Sequence, residues 1–545
     1  MMKNITKVIS LVLCCILLIS IAACGGGGSN TGDNSANSNN SNSNSSNSNS
    51  TGSGSGSASV DRDTLRIAIT QDFGSFSFMN VSGGQWWSIM WALGEPLFDL
   101  VFNEQGEAEY VWLLATGYDV IEPLHWILHL REGVTFSNGN PFTAEDVLFT
   151  INTVQERTTS RAQSIDMEKT SIIDDYTIDF WCTDINVQKE TAWTDMYMFD
   201  AESYADTDFG INPVGTGPYV LTDYLVNSYV KLTAREDYWG EQPAIKNLEF
   251  RVMAETSQVI NALETGLIDV GPVAGQDYEY VAAMPGYVID DYTEGSWAQL
   301  CFNITDNSIF SNQDARYAVC YAINKQAIVD LIFLGHAEVM TTVVNPAMVD
   351  YEDRFNYPNE LYQTGYDLAK AKEYAAKAGI EGETITLITG GQSHYIALAE
   401  MLQDMLKQIG LTVVINNYDV PTFNQISRYQ FDQYDLYLSN GISPNKFMGD
   451  ALHQTMSSSN MFGINGEASF EGKDRYFEIS TLALNSPDPQ VRSDTIFELL
   501  KLQSNSAIRY SICTIIYSTA FTTDLQPPFP VRVSQQRRFQ DYKFK

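Results

Sequence analysis

The chain has 545 residues, 44% of them hydrophobic, and a formal net charge of −35 at pH 7 from 32 Lys and Arg against 67 Asp and Glu. So large an acidic excess leaves few cations to neutralise a phosphate backbone, which argues against nucleic acid as a partner. The same excess favours solubility and points only weakly to cationic ligands.

At the amino end, Lys3 and Lys7 precede an uncharged run from Val8 to Ile21 that closes on Ala22, Ala23 and Cys24. This three-part pattern predicts a secretory signal over residues 1–23. The run is shorter than the roughly 20 residues a bilayer core requires, and glycines follow at once, so a spanning helix is disfavoured. Ile21-Ala22-Ala23-Cys24 resembles the lipobox of bacterial lipoproteins. By that resemblance Cys24 is the first mature residue, takes a diacylglycerol on its thiol and is a site of palmitate attachment. Burial is worth about 0.8 kcal/mol per methylene, so two acyl chains hold a protein stably where one holds it marginally. Residues 25–59 are Gly, Ser, Asn or Thr except for Asp33, Ala36 and Ala58. Such a composition has nothing to bury, and residues 24–59 read as a lipidated cysteine plus a disordered tether reaching roughly 30–35 Å.

Residues 60–545 form the predicted folded body, enough chain for two or three domains. No later stretch reaches eighteen apolar residues in a row, so no membrane span is predicted. Removing residues 1–23 takes away Lys3 and Lys7 and no acid, which moves the charge to −37. Cys182, Cys301, Cys320 and Cys513 remain, far apart and without CxxC spacing, which argues against a zinc ribbon or redox motif. Disulfide pairing and burial as small apolar residues both stay open for them.

Along the body, LHWILHL alternates, with Trp126, Leu128 and Leu130 on one face and His125 and His129 on the other. Two histidines on a half-exposed strand make a weak metal signal, so the segment reads as structural. Asn138-Gly139 marks a turn, and Thr143 can cap a helix in which Asp146 favours the start. Gly215, Thr216, Gly217 and Pro218 form a corner feeding a strand. Tyr219–Tyr224 and Tyr229–Ala234 read as a hairpin. Asn312 and Asn324 look like caps of consecutive helices, the second ending at Gly335. Leu368, Ala371, Tyr374, Ala375 and Ala378 repeat at helical spacing before Gly379. A strand from Thr384 to Ile388 follows, then a helix carrying Ile396, Ala399, Leu402, Met405, Leu406 and Ile409 that stops at Gly410, then a strand from Leu411 to Ile415. This β-α-β order implies parallel strands with a crossover helix. The class is mixed α/β with more than one sheet.

Reaction chemistry is scarce. There is no Gly-rich phosphate loop, HExxH or GxSxG. Ser443-Pro444-Asn445-Lys446 fits SxxK, but its proline opposes the helix that motif occupies and no KTG accompanies it. The sequence predicts no enzyme, no cofactor and no metal site.

HWILHLREGVTFSNGNPFTAEDVLFTI (125–151) resembles the hallmark segment of the extracellular solute-binding proteins of family 5, the oligopeptide, dipeptide and nickel binders of ABC importers. NPVGTGPYVL (212–221), AREDYWG (234–240), ALETGLIDV (262–270), QDARYAVCYAINKQAIV (313–329), YDLAKAKEYAAKAGI (366–380) and LAEMLQDMLKQIGLTVVI (398–415) are similar to further blocks of that family, in order. The likeness runs from about Leu65 to Pro530.

The resemblance implies a bilobal periplasmic-binding-protein-like fold, type II in its three-lobed family 5 variant, with mixed sheets and a hinge between lobes. Lobe I would comprise about 61–102, 214–297 and 510–545, lobe II about 103–213, and lobe III about 298–509. It further implies a monomer, lipid-anchored on the extracytoplasmic face of a Gram-positive type cell, that closes on a small solute and presents it to a membrane permease. Peptide is the first expectation, its main chain pairing with strand edges. A sugar oligomer or nickel complex, or a peptide-sensing receptor or chaperone role, is the alternative; an extracellular acyl-transfer enzyme is disfavoured.

One block departs from the family. Where a GW and an acid that meets a peptide ammonium are expected, this chain has Asn440, Gly441, Ile442 and Ser443, and its next acid is Asp450. A buried ammonium without a charged partner costs several kcal/mol, so Asp450 or an acid elsewhere serves, or the ligand lacks a free amino end. The candidate ligand residues are therefore Trp297 and Gln299, aligned with a cleft-lining position, together with Asn440, Gly441, Ser443 and Asp450. Trp86 and Trp87 complete the set as aromatics that could stack on a solute.

Overall fold

The computed structural model describes residues 62–77, 84–102, 108–157, 165–183, 194, 196–204, 211–293, 297–346, 348, 350–356, 359–441, 448–449, 452, 470–486, 488–526 and 537–545. The predicted signal, the tether and Cys24 lie outside them. From the amino end come β1 (Thr64–Ile69), α1 (Gly84–Leu93) and the hairpin β2 (Phe98–Phe102) and β3 (Ala108–Trp112). Next, β4 (Ala115–Glu122), β5 (His125–Leu130), α2 (Ala144–Arg157), β6 (Ser171–Asp174) and β7 (Thr177–Trp181) make a four-stranded sheet in the order β4-β5-β7-β6. Alternation in β5 works as predicted, and β7 alternates with it: Leu128, Leu130, Ile178 and Phe180 point into a core shared with Val147 and Ile151 of α2. Asp146 accepts from the Thr143 N–H at 2.7 Å, closing the start of α2 as its acid was expected to do.

The chain then builds β8 (Tyr219–Leu225), β9 (Tyr229–Ala234), β10 (Asn247–Val252), α3 (Thr256–Glu264), β11 (Val270–Val273), α4 (Tyr278–Ala282) and β12 (Tyr287–Tyr292). With β1 these strands form a seven-stranded sheet, completed from the far end of the sequence. The hairpin β8–β9 is antiparallel and turns through Asn227 at φ +58°. In the centre β1 runs parallel to β10 and β11, and Leu65, Ile67 and Ile69 bury against Val230, Leu248, Phe250 and Val270.

A third body follows: β13 (Trp297–Phe302), α5 (Gln313–Ala322), α6 (Lys325–Leu331), β14 (Ala337–Val339), α7 (Leu368–Ala378), β15 (Thr384–Thr389), α8 (Ser393–Lys407), β16 (Thr412–Asn417), α9 (Val420–Tyr429), β17 (Leu436–Asn440), α10 (Lys473–Asn485), α11 (Pro489–Ser506) and β18 (Arg509–Ile515). Its six-stranded sheet has the order β14-β18-β13-β17-β15-β16. The β-α-β reading holds, since β15 and β16 pair in parallel and α8 joins them. Asn312 and Asn324 accept N–H bonds from Asp314 and Ala327 as predicted caps, and Gly379 ends α7 in the left-handed region. Helix α6 stops at Leu331, short of Gly335; that glycine, at φ +85°, instead turns its N–H back to the Val329 carbonyl at 3.0 Å. The next strand, β19 (Tyr517–Thr522), returns to the seven-stranded sheet between β11 and β12, and the short strands β20 (Leu525–Gln526) and β21 (Lys543–Phe544) pair antiparallel after it.

The chain thus passes from one larger sheet to the other after β12 and back between β18 and β19. β12 and β19 pair on one side, β13 and β18 on the other, and Ile516 alone joins β18 to β19. The ladder of the six-stranded sheet begins at Trp297 and runs to Ile515. Among the described residues no helix is long and apolar enough to cross a membrane.

Candidate functional site

Three strands of the six-stranded sheet, β15, β16 and β17, run parallel, so Thr389, Asn417 and Asn440 end at one edge. The first residue of the antiparallel β13, Trp297, stands at the same edge, as does the end of β18. In open α/β sheets the crevice outside the carboxyl ends of the strands is where ligands bind. Here that edge also adjoins both crossings.

Trp297 is 3% exposed, and its Nε1 is buried with no hydrogen-bond partner. An orphaned buried donor is uncommon and costs about 1–3 kcal/mol. The ring is held by its neighbour: the Gly441 N–H donates to the Trp297 carbonyl at 2.7 Å, and a Cβ on Gly441 would stand 2.0 Å from Trp297 Cε2. Only glycine fits there, which accounts for a residue the sequence offered by position alone. Two residues along the same face, Gln299 is 2% exposed and donates from Nε2 to Ser439 Oγ and to the Asn440 carbonyl, both at 3.2 Å.

Asn440 belongs to the opposite face of β17, since it pairs with Ala298 while Ser439 pairs with Gln299. Its Oδ1 accepts from the Tyr395 hydroxyl in the first turn of α8. That helix starts three residues beyond β15 and has neither a side-chain cap at Gln392 nor an acid in its first turn, so the positive end of its dipole is unmasked at this edge. His394 sits in the same turn with a buried, unpartnered Nε2, and burial lowers its pKa to about 4, which keeps the imidazole neutral. The structure therefore brings Trp297, Gln299, Asn440 and Gly441 to one end of one sheet, but divides their side chains between its two faces.

Ser443 and Asp450 lie outside the described residues, as does the SxxK stretch. Nearby, the Met448 N–H donates to Asp350 Oδ1 at 2.8 Å, and burial pushes that carboxyl up to about 6. Trp86 and Trp87 fall on α1, far along the chain from this edge; Trp91 of the same helix is wholly buried. His125 is bound to Asp179 and stacked on Trp181 with ring centroids 4.0 Å apart, whereas His129 meets Asp119 at 2.9 Å. Each histidine thus has its own carboxylate on a different neighbouring strand, and the pair does not converge. Cys182, Cys301, Cys320 and Cys513 are free and buried, and no group of three metal-ligating side chains occurs among the described residues. Tyr395 and Ser439 were missed by sequence reasoning. Ser439 joins the site through the antiparallel β13–β17 pairing and Tyr395 through its bond to Asn440, and no local pattern carries either.

Comparison with known proteins follows from this geometry. The family model for bacterial extracellular solute-binding proteins, family 5 Middle, matches residues 109–463. The di/tripeptide-binding protein 1 of Pseudomonas aeruginosa is 25% identical over 368 residues, covering 60% of this chain and 67% of that protein. Among solved structures, the periplasmic binding protein DppA of Helicobacter pylori in complex with the peptide STSA superposes with a TM-score of 0.74 at 21% identity, over 89% of this chain and 99% of that one. NikA from Brucella suis in complex with Fe(III)-EDTA gives 0.75 at 18% identity, over 88% and 100%. These likenesses place the architecture as the bilobal α/β fold of periplasmic binding proteins.

Proposed function

Because the chain belongs to the bacterial extracellular solute-binding proteins of family 5, and is a binding protein of the ABC-transporter class rather than an enzyme, we propose that it captures oligopeptides outside the cytoplasm and delivers them to a membrane permease. The observation that carries the reading is that β12 pairs with β19 in one sheet and β13 with β18 in the other, with Ile516 alone between β18 and β19, an arrangement suited to a hinge between two sheet-centred bodies. Lobes I and II, centred on the seven- and four-stranded sheets, face lobe III, centred on the six-stranded one. Ligand lies against the edge that carries Trp297, Gln299, Asn440 and Gly441, where the Trp297 N–H lacks an acceptor that a peptide carbonyl or carboxylate can supply. Ser443 and Asp450 complete the site, and Asp450 is the acid available for a ligand ammonium. Trp86 and Trp87 remain candidates for stacking on the solute. The relative from Pseudomonas aeruginosa named for di- and tripeptides, and the Helicobacter pylori complex with a tetrapeptide, support peptide as the solute.

Cys24 anchors the chain through its lipid, and residues 25–59 keep the body within reach of the permease. Native mass spectrometry of protein taken from its own host, before and after stripping, tests the ligand: a released mixture of short peptides is expected. A single sugar oligomer, or a metal complex, would replace the peptide reading. Labelled palmitate should enter the native chain and not C24A, which should leave the membrane fraction.

A further inference from the structure

The chain passes from β18 to β19 through Ile516 alone, and that residue does not hang free. Its N–H donates to the His336 carbonyl at 3.1 Å. His336 sits on the short loop between α6 and β14, in the body of the six-stranded sheet. Its ring, however, rests on the other body: the centroid lies 4.4 Å from that of Tyr278, the first residue of α4. Tyr278 is itself fixed, because its hydroxyl donates to Asp291 Oδ2 at 2.8 Å while Ser518 Oγ donates to Asp291 Oδ1 at 2.6 Å. Asp291 and Ser518 are paired residues of β12 and β19, the two strands entering the crossings. The backbone approaches closely too. A Cβ on Gly275 would stand 3.0 Å from His336 Cδ2 and 3.4 Å from the Phe333 carbonyl oxygen.

We propose that His336 is the pivot of lobe closure, a positioning residue that holds the crossing residue with its main chain and bears on the opposite lobe with its ring. The inference builds on the hinge reading above and assigns the bearing to one side chain. A contact one residue from the axis moves little as the lobes turn, so it persists through closure and restricts the paths the lobes can take. Without it the unliganded molecule samples a wider range of openings, and the fraction poised to bind falls with it.

The test uses the full chain carrying spin labels at V288C in the seven-stranded sheet and V414C in the six-stranded sheet, positions 53% and 44% exposed. Cys182, Cys301, Cys320 and Cys513 are buried and stay unlabelled, and Cys24 is kept lipidated so that its thiol is closed to the label. In the unliganded protein, H336A should broaden the label-to-label distance distribution, H336F should keep it narrow by restoring a ring over Tyr278, and G275A should broaden it from the other side of the contact. With the tetrapeptide Ser-Thr-Ser-Ala as probe, affinity should fall 3- to 10-fold in H336A and stay within 2-fold in H336F. A distribution in H336A as narrow as in the native chain would overturn the pivot, and so would an H336F as broad as H336A. Failure of the native chain to bind the tetrapeptide would count against the peptide reading alone, because the unliganded distances decide the pivot.

Discussion

Lys325 offers the sharpest test of how the six-stranded body is held together. It is 6% exposed at the start of α6, and among the described residues no carboxylate pairs with it. Its Nζ donates to the Met340 carbonyl at 2.9 Å and lies over the rings of Tyr362 and Tyr510, 4.3 and 4.0 Å from their centroids. Burial brings its pKa from 10.5 down to about 7. The folded state therefore releases this proton near pH 7, whereas the unfolded chain keeps it to about 10.5. Between those values the unfolded state binds more protons, so stability rises with pH across that window, and below it Lys325 adds no pH dependence. At about 1.36 kcal/mol per unit, the shift corresponds to roughly 5 kcal/mol over the full window. K325M fills a similar volume without titrating. The stability of the native chain minus that of K325M should be level below pH 7 and climb by several kcal/mol towards pH 10, measured by urea unfolding of both chains at matched pH. A difference that stays flat from pH 7 to pH 10 would refute the reasoning. It would mean that the two rings and the carbonyl hold the lysine charged, at up to about 2 kcal/mol for a desolvated cation–π contact.

Three further outcomes follow from the same structure. G441A should displace the Trp297 indole and destabilise by about 1–3 kcal/mol as overpacking does, with a shifted tryptophan emission and weakened solute binding as readouts. Asp350, held above its ordinary pKa, keeps its proton to about pH 6 in the folded state while the unfolded chain loses it near 3.8, so stability is lost as pH rises through that range. D350N keeps the acceptor for Met448 and should flatten that slope in urea midpoints compared at pH 4 and pH 7. Asn303 donates to the carbonyls of Phe431 and Tyr434 at 2.7 and 2.9 Å, and its Oδ1 accepts from Thr305. N303L strands those buried carbonyls and should cost about 2–4 kcal/mol by chemical denaturation.

Local physics made the scaffold readable. The caps at Asn312, Asn324 and Gly379, the hairpin through Asn227 and the helix between β15 and β16 are each set by a few neighbouring residues. Gly335 misled as a helix end because a glycine needed for left-handed backbone can follow a helix by several residues and still close it. The candidate site was legible only in part. Trp297, Gln299 and Gly441 could be named as candidates, but their common edge and the face each takes depend on the register of β13 against β17, a pairing of residues about 140 apart. Tyr395 escaped notice for the same reason: it meets Asn440 only because α8 packs over the sheet that β17 completes. His336 was hidden more deeply still, since its carbonyl rather than its side chain marks the crossing.

The buried cations show how a chain with so many acids keeps its mechanics separate from its charge. Arg316, 1% exposed, meets no carboxylate among the described residues; it donates to the carbonyls of Phe310, Ser311 and Ser506. Lys325 likewise uses a carbonyl and two rings. Both anchor β18, Arg316 by gripping Ser506 just ahead of it and Lys325 by lying over Tyr510 within it, while His336 holds Ile516 just past its end. In the hinge proposed above, a strand fixed at its start, in its middle and at its exit would serve as a stiff lever that concentrates rotation at the crossing. Dipoles and ring faces are screened less by salt than surface ion pairs because water does not reach them. The acidic excess can then serve solubility without placing the closing motion proposed for the lobes under the control of ionic strength.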